Sequence, residues 1–457
     1  MNVMKNKFNR TFPRATNGAT MNRRDFMSHS GLLFGASMFS LPHAVSMIAQ
    51  AKTTPDSPVL NDWATVRGQF TLDPQLIHMA GFYLAAHPAP VREAIERHRS
   101  GFDANPFDYH RDNAMRFELA ALEAAGRYLG VDPAGIAMTD STTMGLGLIY
   151  NSIELQPDQE ILTTTHDHYA TWRSLELRAE RIGASVRRVS LYERGEDATA
   201  DSMADALISA ITPQTRLIAV TWVHSGTGVK LPIAAMSQAI AQINRDRDAD
   251  SHILFSVDGV HGLGIEQESL HDLGCDIFIA GTHKWMFGPR GTGLVYATPR
   301  ARQLLQPTIP PFPPVVFSGM SQEERASRVT WGMQMTPGGF HSFEHRWAVT
   351  EAFGMHQEIG KAAVTSRTHA LNRQIKEALD VMPHIKMHTP MSDNVSAGMV
   401  CFEVNGMTPS EVVARLRDRS IIASTTPYAV TYARLAAAIF NTEQEIERTI
   451  SAVHALG

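Results

Sequence analysis

Between residues 136 and 297, short apolar runs alternate with longer segments whose apolar residues recur at helical spacing. The runs fall at 136–138, 161–164, 186–191, 216–223, 253–257, 277–280 and 294–297, and the helical segments at 146–153, 172–181, 203–211 and 233–244. Parallel neighbours need a crossover connection, usually a helix, and a parallel sheet is stable only when both faces are covered. The chain is therefore expected to be α/β, with a mostly parallel sheet between helical layers.

On either side the pattern changes. Pro90 opens a helix over 91–102, Asn105-Pro106-Phe107 reads as a break, and Met115, Leu119, Leu122, Ala125 and Leu129 mark a helix over 114–129. The proline-rich stretch 307–314 can continue neither a sheet nor a helix and reads as the passage out of the large domain. Beyond it, helices at 343–360, 364–379, 409–418 and 442–456 around a strand at 398–404 predict a smaller α+β domain. The expected division is a leader over 1–51, an N-terminal segment over 52–110, a large domain over 111–306 and a small C-terminal domain over 307–457. A chain of 457 residues with 44% hydrophobic content can bury cores of that size.

In open α/β sheets, ligands bind beyond the carboxyl ends of the strands. Two of those ends carry paired chemistry: Ser256-Val257-Asp258 closes one run, and Gly281-Thr282-His283-Lys284-Trp285 follows another. One reading is a buried Asp258–Lys284 ion pair. The other is a pyridoxal phosphate site, in which the lysine amine bonds the cofactor and the carboxylate keeps its pyridine nitrogen protonated. The glycine-rich stretch 288–293 favours the second, because it lets the backbone pass close to a cofactor. Upstream, the hydroxyl residues of Thr139-Asp140-Ser141-Thr142-Thr143 open a helix just past a strand, which makes either a plain N-cap or an anion site. Thr165-His166-Asp167-His168-Tyr169 follows the next strand, and as a plain capping cluster it would use Asp167 as the cap and leave its histidines in water.

The segments "SVDGVHGLG" and "GTHKWMFGPRGTG" resemble the core of the class V, fold type I aminotransferases, in particular the isopenicillin-N epimerase-like branch. The resemblance runs from about His78 to the C-terminus. It implies Lys284 as the catalytic and cofactor-bonding lysine, Asp258 at the pyridine nitrogen, and Thr142, Thr143 and Thr282 at the phosphate. It places His168, with Tyr169 second, over the cofactor ring. His261 comes near the phenolic oxygen, and His283 stands beside the lysine. Related sequences often carry asparagine where this one has Ser225, so either Ser225 or His224 would supply that contact. Phe82 and Tyr83 are candidates for the substrate side of the cleft or for core packing. The closing motif "YARLAAAIFNTEQEIERTI" maps the substrate-carboxylate arginine to Arg434, whose planar fork suits a carboxylate. The turn at Thr336 corresponds to one that reaches the neighbouring subunit's phosphate, which implies a homodimer.

The N-terminus differs in kind. Asn22-Arg23-Arg24-Asp25-Phe26-Met27, a modest apolar run over 31–41 and Ala49-Gln50-Ala51 resemble a twin-arginine export signal cleaved before Lys52; a disordered basic leader is the alternative. The expected address is the periplasm, reached through the Tat translocase after folding. Residues 1–51 hold six basic residues and one acidic, so the remainder carries 35 basic against 45 acidic, a formal charge of −10. That acidity argues against a nucleic-acid or anionic-membrane partner. Two cysteines, Cys275 and Cys401, form neither a disulfide framework nor a metal-ligand spacing, and both read as strand packing. Desulfuration, which needs a thiolate on a mobile loop, is disfavoured. Transamination, epimerisation and lyase chemistry remain open, as does a non-catalytic exported binding protein. The export signal points to an unusual amino acid or small peptide-like metabolite as substrate. Among Tat-exported relatives, the chain is similar to periplasmic enzymes that tailor pyoverdine siderophores.

Overall fold

The computed structural model describes residues 60, 62–313, 321, 323–324 and 328–457; the expected export signal lies outside them. Its strands are β1 (Ile77–His78), β2 (Ile136–Thr139), β3 (Glu160–Thr164), β4 (Ser185–Val189), β5 (Thr215–Thr221), β6 (Leu254–Asp258), β7 (Ile277–Gly281), β8 (Gly293–Ala297), β9 (Ile385–Met387), β10 (Val400–Val404), β11 (Ile421–Ile422), β12 (Ser424–Thr425) and β13 (Ala433–Leu435).

Seven of these form one sheet in the order β2-β8-β7-β6-β5-β3-β4. Only β8 runs against the others, antiparallel to both β2 and β7. The pairs β3–β4, β3–β5, β5–β6 and β6–β7 are parallel, as the alternating pattern requires. Strand β7 shows why both faces must be covered. Ile277 and Ile279 pack with Leu146, Ile149 and Leu175 on one side, while Phe278 and Ala280 join the core of Leu122, Ala125 and Leu129 on the other. Gly259, directly after β6, is forced by this packing: a Cβ there would sit 2.0 Å from Phe278 Cε2.

A second, four-stranded antiparallel sheet has the order β12-β13-β10-β9. The N-terminal segment is stitched to its neighbourhood, because β1 pairs in parallel with β11 and Ala80 bridges Ala436. That pairing sets Phe82 and Tyr83 near the strand that carries Arg434. No helix of the described residues is long and apolar enough to cross a membrane.

Two local expectations need correction. Asn105 breaks the helical run as expected, but for one residue only: it ends the helix Ala89–Ala104 and caps the next, so the helix expected over 114–129 already starts at Pro106, where Asn105 Oδ1 accepts from Asp108 N and proline at the first helical position gives up an N–H that would have no partner. The expected helix over 343–360 is two helices, Phe343–Trp347 and Val349–Ile359, that meet at Ala348.

Candidate active site

The carboxyl ends of five co-directional strands converge on one cleft, as the strand-end rule requires. Past β2, Ser141 caps the helix Thr142–Ser152, its Oγ accepting from Met144 N at 3.1 Å. Thr142 Oγ1 accepts from Gly281 N at 2.8 Å, which ties the start of that helix to the end of β7. The first-turn N–H groups and the positive end of the helix dipole thus face the cleft that Thr142 and Thr143 line.

Past β3, Asp167 is fully buried and is not the cap. Its Oδ2 accepts from Thr163 Oγ1, Thr164 N and Thr164 Oγ1, and its Oδ1 accepts from Thr221 N at 2.6 Å, so one carboxylate fastens the ends of β3 and β5 together. His168 is the cap, its Nδ1 accepting from Ala170 N, and its ring lines the cleft. Burial, with Lys284 adding to it, lowers the His168 pKa and keeps the ring neutral. Tyr169 points outward, 63% exposed.

Asp258 ends β6 and is 2% exposed; Oδ1 accepts from Val260 N, and Oδ2 has no hydrogen-bond donor among the described residues. Burial raises its pKa to about 7, against the opposing pull of Lys284. Lys284, half-buried, has its pKa lowered to about 8, chiefly by burial. The two form no ion pair. Lys284 Nζ instead lies 3.1 Å from His261 Nε2, and His261 Nδ1 accepts from Trp285 Nε1 at 3.3 Å. The plain ion-pair reading therefore fails on geometry.

Arg434, in β13, is 2% exposed and reaches the same cleft from the small sheet. Nη1 donates to Ser225 O at 2.6 Å, Nε to Ser424 Oγ at 3.1 Å and Nη2 to Thr425 O at 3.4 Å, and the guanidinium lies 4.6 Å from the Phe82 ring centroid. None of its partners is a carboxylate. Ser225 Oγ shares a 2.7 Å hydrogen bond with Tyr428 Oη.

The structure brings together Thr142, Thr143, His168, Ser225, Asp258, His261, His283, Lys284 and Arg434, with Phe82 and Tyr83. It does not bring Thr282 to the cleft wall: that residue is fully buried and its hydroxyl is bonded to Thr292 Oγ1. Thr336 Oγ1 is also engaged within its own chain, donating to Gly332 O and accepting from Met138 N. His224 is buried behind the wall and bonds Tyr192 Oη. Cys275 and Cys401 are buried, and burial pushes both thiols up, Cys401 to about 11. Sequence reasoning missed Tyr428, which announces itself only by its contact with Ser225, and it missed the strand-tying role of Asp167. The run of three threonines, Thr163 to Thr165, shortly before Asp167 was the one available signal for the latter.

A family model described as aminotransferase class-V matches residues 87–449. The chain belongs to that family, and its fold is that of the fold type I pyridoxal phosphate enzymes. Among individual proteins, the isopenicillin N epimerase of Streptomyces clavuligerus is 26% identical over 403 residues, covering 86% of this chain and 98% of the relative. A probable cysteine desulfurase of Vibrio cholerae is 24% identical, covering 83% and 93%. Among solved structures, the cystine C–S lyase C-DES with glycine covalently linked to its PLP cofactor superimposes with a TM-score of 0.75 at 20% identity, covering 86% of this chain and 99% of that one. The apo cysteine desulfurase of Thermococcus onnurineus gives 0.70 at 19% identity, covering 86% and 97%.

Proposed function

We propose that the chain is an exported pyridoxal phosphate enzyme that acts at the amino-bearing carbon of an amino acid or small peptide-like metabolite. The reaction is aminotransferase-like, the working form a homodimer, and the setting the periplasm, with siderophore tailoring as the specific role. One observation carries the chemistry: an amine shifted toward its neutral form, a carboxylate with a free oxygen and a guanidinium without a counter-ion share one cleft.

The residues fit the cofactor. Asp258 lines the cleft and its Oδ2 has no donor among the described residues, a place that a protonated pyridine nitrogen would fill. The helix start at Thr142 and Thr143 suits a phosphate, and the His168 ring supplies a flat, neutral wall. Bound there, pyridoxal phosphate supplies an electron sink for the pair left behind when a bond at the amino-bearing carbon breaks. Lys284 bonds the cofactor and, once freed, moves the proton at that carbon; a pKa near 8 suits a group that must both take and give a proton near neutrality. Arg434 orients the substrate by its carboxylate, so that the bond to be broken is held in one direction.

Epimerisation is the second reading, favoured by the similarity to isopenicillin N epimerase over nearly that protein's whole length. Desulfuration is set aside because both thiols are buried and shifted away from thiolate. Export rests on the Arg23-Arg24 motif and the 49–51 cleavage pattern. Two measurements test the proposal. The purified protein must show a visible absorbance band that borohydride abolishes, and a strain lacking it must show an altered amine-bearing metabolite in its periplasm by mass spectrometry. An unchanged periplasm, together with turnover of common amino acids by the pure enzyme, would sink the tailoring role.

A further inference from the structure

The tryptophan that follows the lysine is held by packing on two sides and by one hydrogen bond. Trp285 is 1% exposed and its indole stacks on Phe82 at 5.3 Å and 15°. A Cβ at Gly398 would lie 2.8 Å from its Cη2. Boxed in this way, the indole N–H has a fixed direction, and it points at His261 Nδ1.

An indole N–H can only donate, so Nδ1 must present its lone pair. The ring is buried beside Lys284 and Arg434, both of which, after burial itself, disfavour a second proton on it. A neutral imidazole that accepts at Nδ1 carries its hydrogen on Nε2. That hydrogen meets Lys284 Nζ at 3.1 Å, and only a free amine has the lone pair to receive it; an ammonium would bring N–H against N–H. We propose that Trp285 is a positioning residue that locks His261 in its Nε2–H tautomer, and that through this bond it biases the Lys284 amine toward the neutral, nucleophilic form. The inference rests on the assignment of Lys284 as the reactive amine. The other charged or titratable groups around Lys284 are Asp258, which favours the ammonium, Arg434, which opposes it, and His168 and His283, whose burial keeps them neutral.

The test has two arms on the full chain freed of cofactor. Nitrogen NMR of histidine-labelled wild type, with the His261 signals assigned by their loss in His261→Gln, must show a protonated Nε2 and an unprotonated Nδ1 at pH 7. An Nδ1–H tautomer overturns the proposal, and this arm needs no folded variant of Trp285. In the second arm, competitive acetylation read by mass spectrometry follows the Lys284 amine against pH. Trp285→Phe keeps an aromatic ring but removes the donor. His261 can then accept from the ammonium, so the labelling midpoint of Lys284 should move to higher pH and its labelling at pH 7 should slow about tenfold. In a His261→Leu background the same substitution should change nothing; an equal slowing there would show a packing effect and overturn the proposal. If wild-type protein loaded with cofactor shows no borohydride-sensitive band, the cofactor reading fails. If the band is present and the tautomer is Nδ1–H, only the lock fails.

Discussion

Burial has moved the two central titrating groups in opposite directions, and that makes a specific demand on stability. The Asp258 carboxyl is raised from 3.8 to about 7 in the folded chain, so between those values the folded state holds a proton that the unfolded state has released. Stability of the cofactor-free protein therefore falls as pH rises through that window. Lys284 is lowered from 10.5 to about 8, so between pH 8 and 10.5 the unfolded state holds the extra proton and stability rises with pH. Each slope can reach about 1.4 kcal/mol per pH unit, and together the two groups contribute a trough between pH 7 and 8. The assay is urea unfolding of cofactor-free wild type, Asp258→Asn and Lys284→Met from pH 4 to 10. The gain of Asp258→Asn over wild type should grow up to pH 7 and then level off. The gain of Lys284→Met should be largest below pH 8 and shrink above it. Because each group is among the causes of the other's shift, the two gains will not add in the double variant. Two destabilised single variants at neutral pH would mean that Asp258 and Lys284 form a stabilising ion pair after all, and would refute the reasoning.

Further outcomes follow from the same geometry. Three of the five Arg434 N–H groups are used within the protein, which leaves one on each terminal nitrogen for a carboxylate. Arg434→Lys keeps the charge but gives up one charge-assisted bond of about 1.5–3 kcal/mol, so binding should weaken roughly 10- to 100-fold. Spectral titration with an amino acid and its amide should show that the preference for the acid collapses in the variant, and an unchanged preference would take the carboxylate role away from Arg434. Lys284→Ala should stay folded by circular dichroism and lack the borohydride-reducible band; a band that persists would move the attachment site elsewhere. Replacing Arg23 and Arg24 with lysine should leave the uncleaved precursor in the cytoplasm on fractionation, whereas unchanged export would point to another route.

The sheet and the strand-end residues were legible because both follow from local rules. An apolar run that ends in Asp258 or Lys284 can only put that side chain at the rim of a parallel sheet, and the hydroxyls after β2 sit where a helix must begin. Directions of side chains within loops were not legible. Thr282 reads as one more phosphate hydroxyl, but Gly288 N donates to Thr282 O and folds the loop back, so that the hydroxyl meets Thr292 instead of the cleft. Short strands such as β11, β12 and β13, each of two or three residues, escaped notice because they are too brief for alternation to show. Their neighbours in the sheet, not their own sequence, define them.

The same limit explains why the sequence names the cofactor chemistry more firmly than the reaction. Lys284, Asp258 and the helix start at Thr142 all follow strands of the seven-stranded sheet, and in the proposed roles they would serve any bond cleavage at an amino-bearing carbon. What would choose among transamination, epimerisation and elimination is the wall on the substrate side. That wall comes from elsewhere: Phe82 and Tyr83 from the segment after β1, and Arg434 from β13. Tyr428, beside them, comes from the loop between β12 and β13 and is joined to Ser225 across 203 residues of sequence. Its hydroxyl is raised to about 12, mainly by burial, so near neutral pH it offers a donor and not a base. A base on the face opposite Lys284, as a two-base epimerisation would need, is therefore not supplied by Tyr428. In the proposed site the proton is moved by Lys284, which follows a strand of the large sheet, and Tyr428 adds no second base to it.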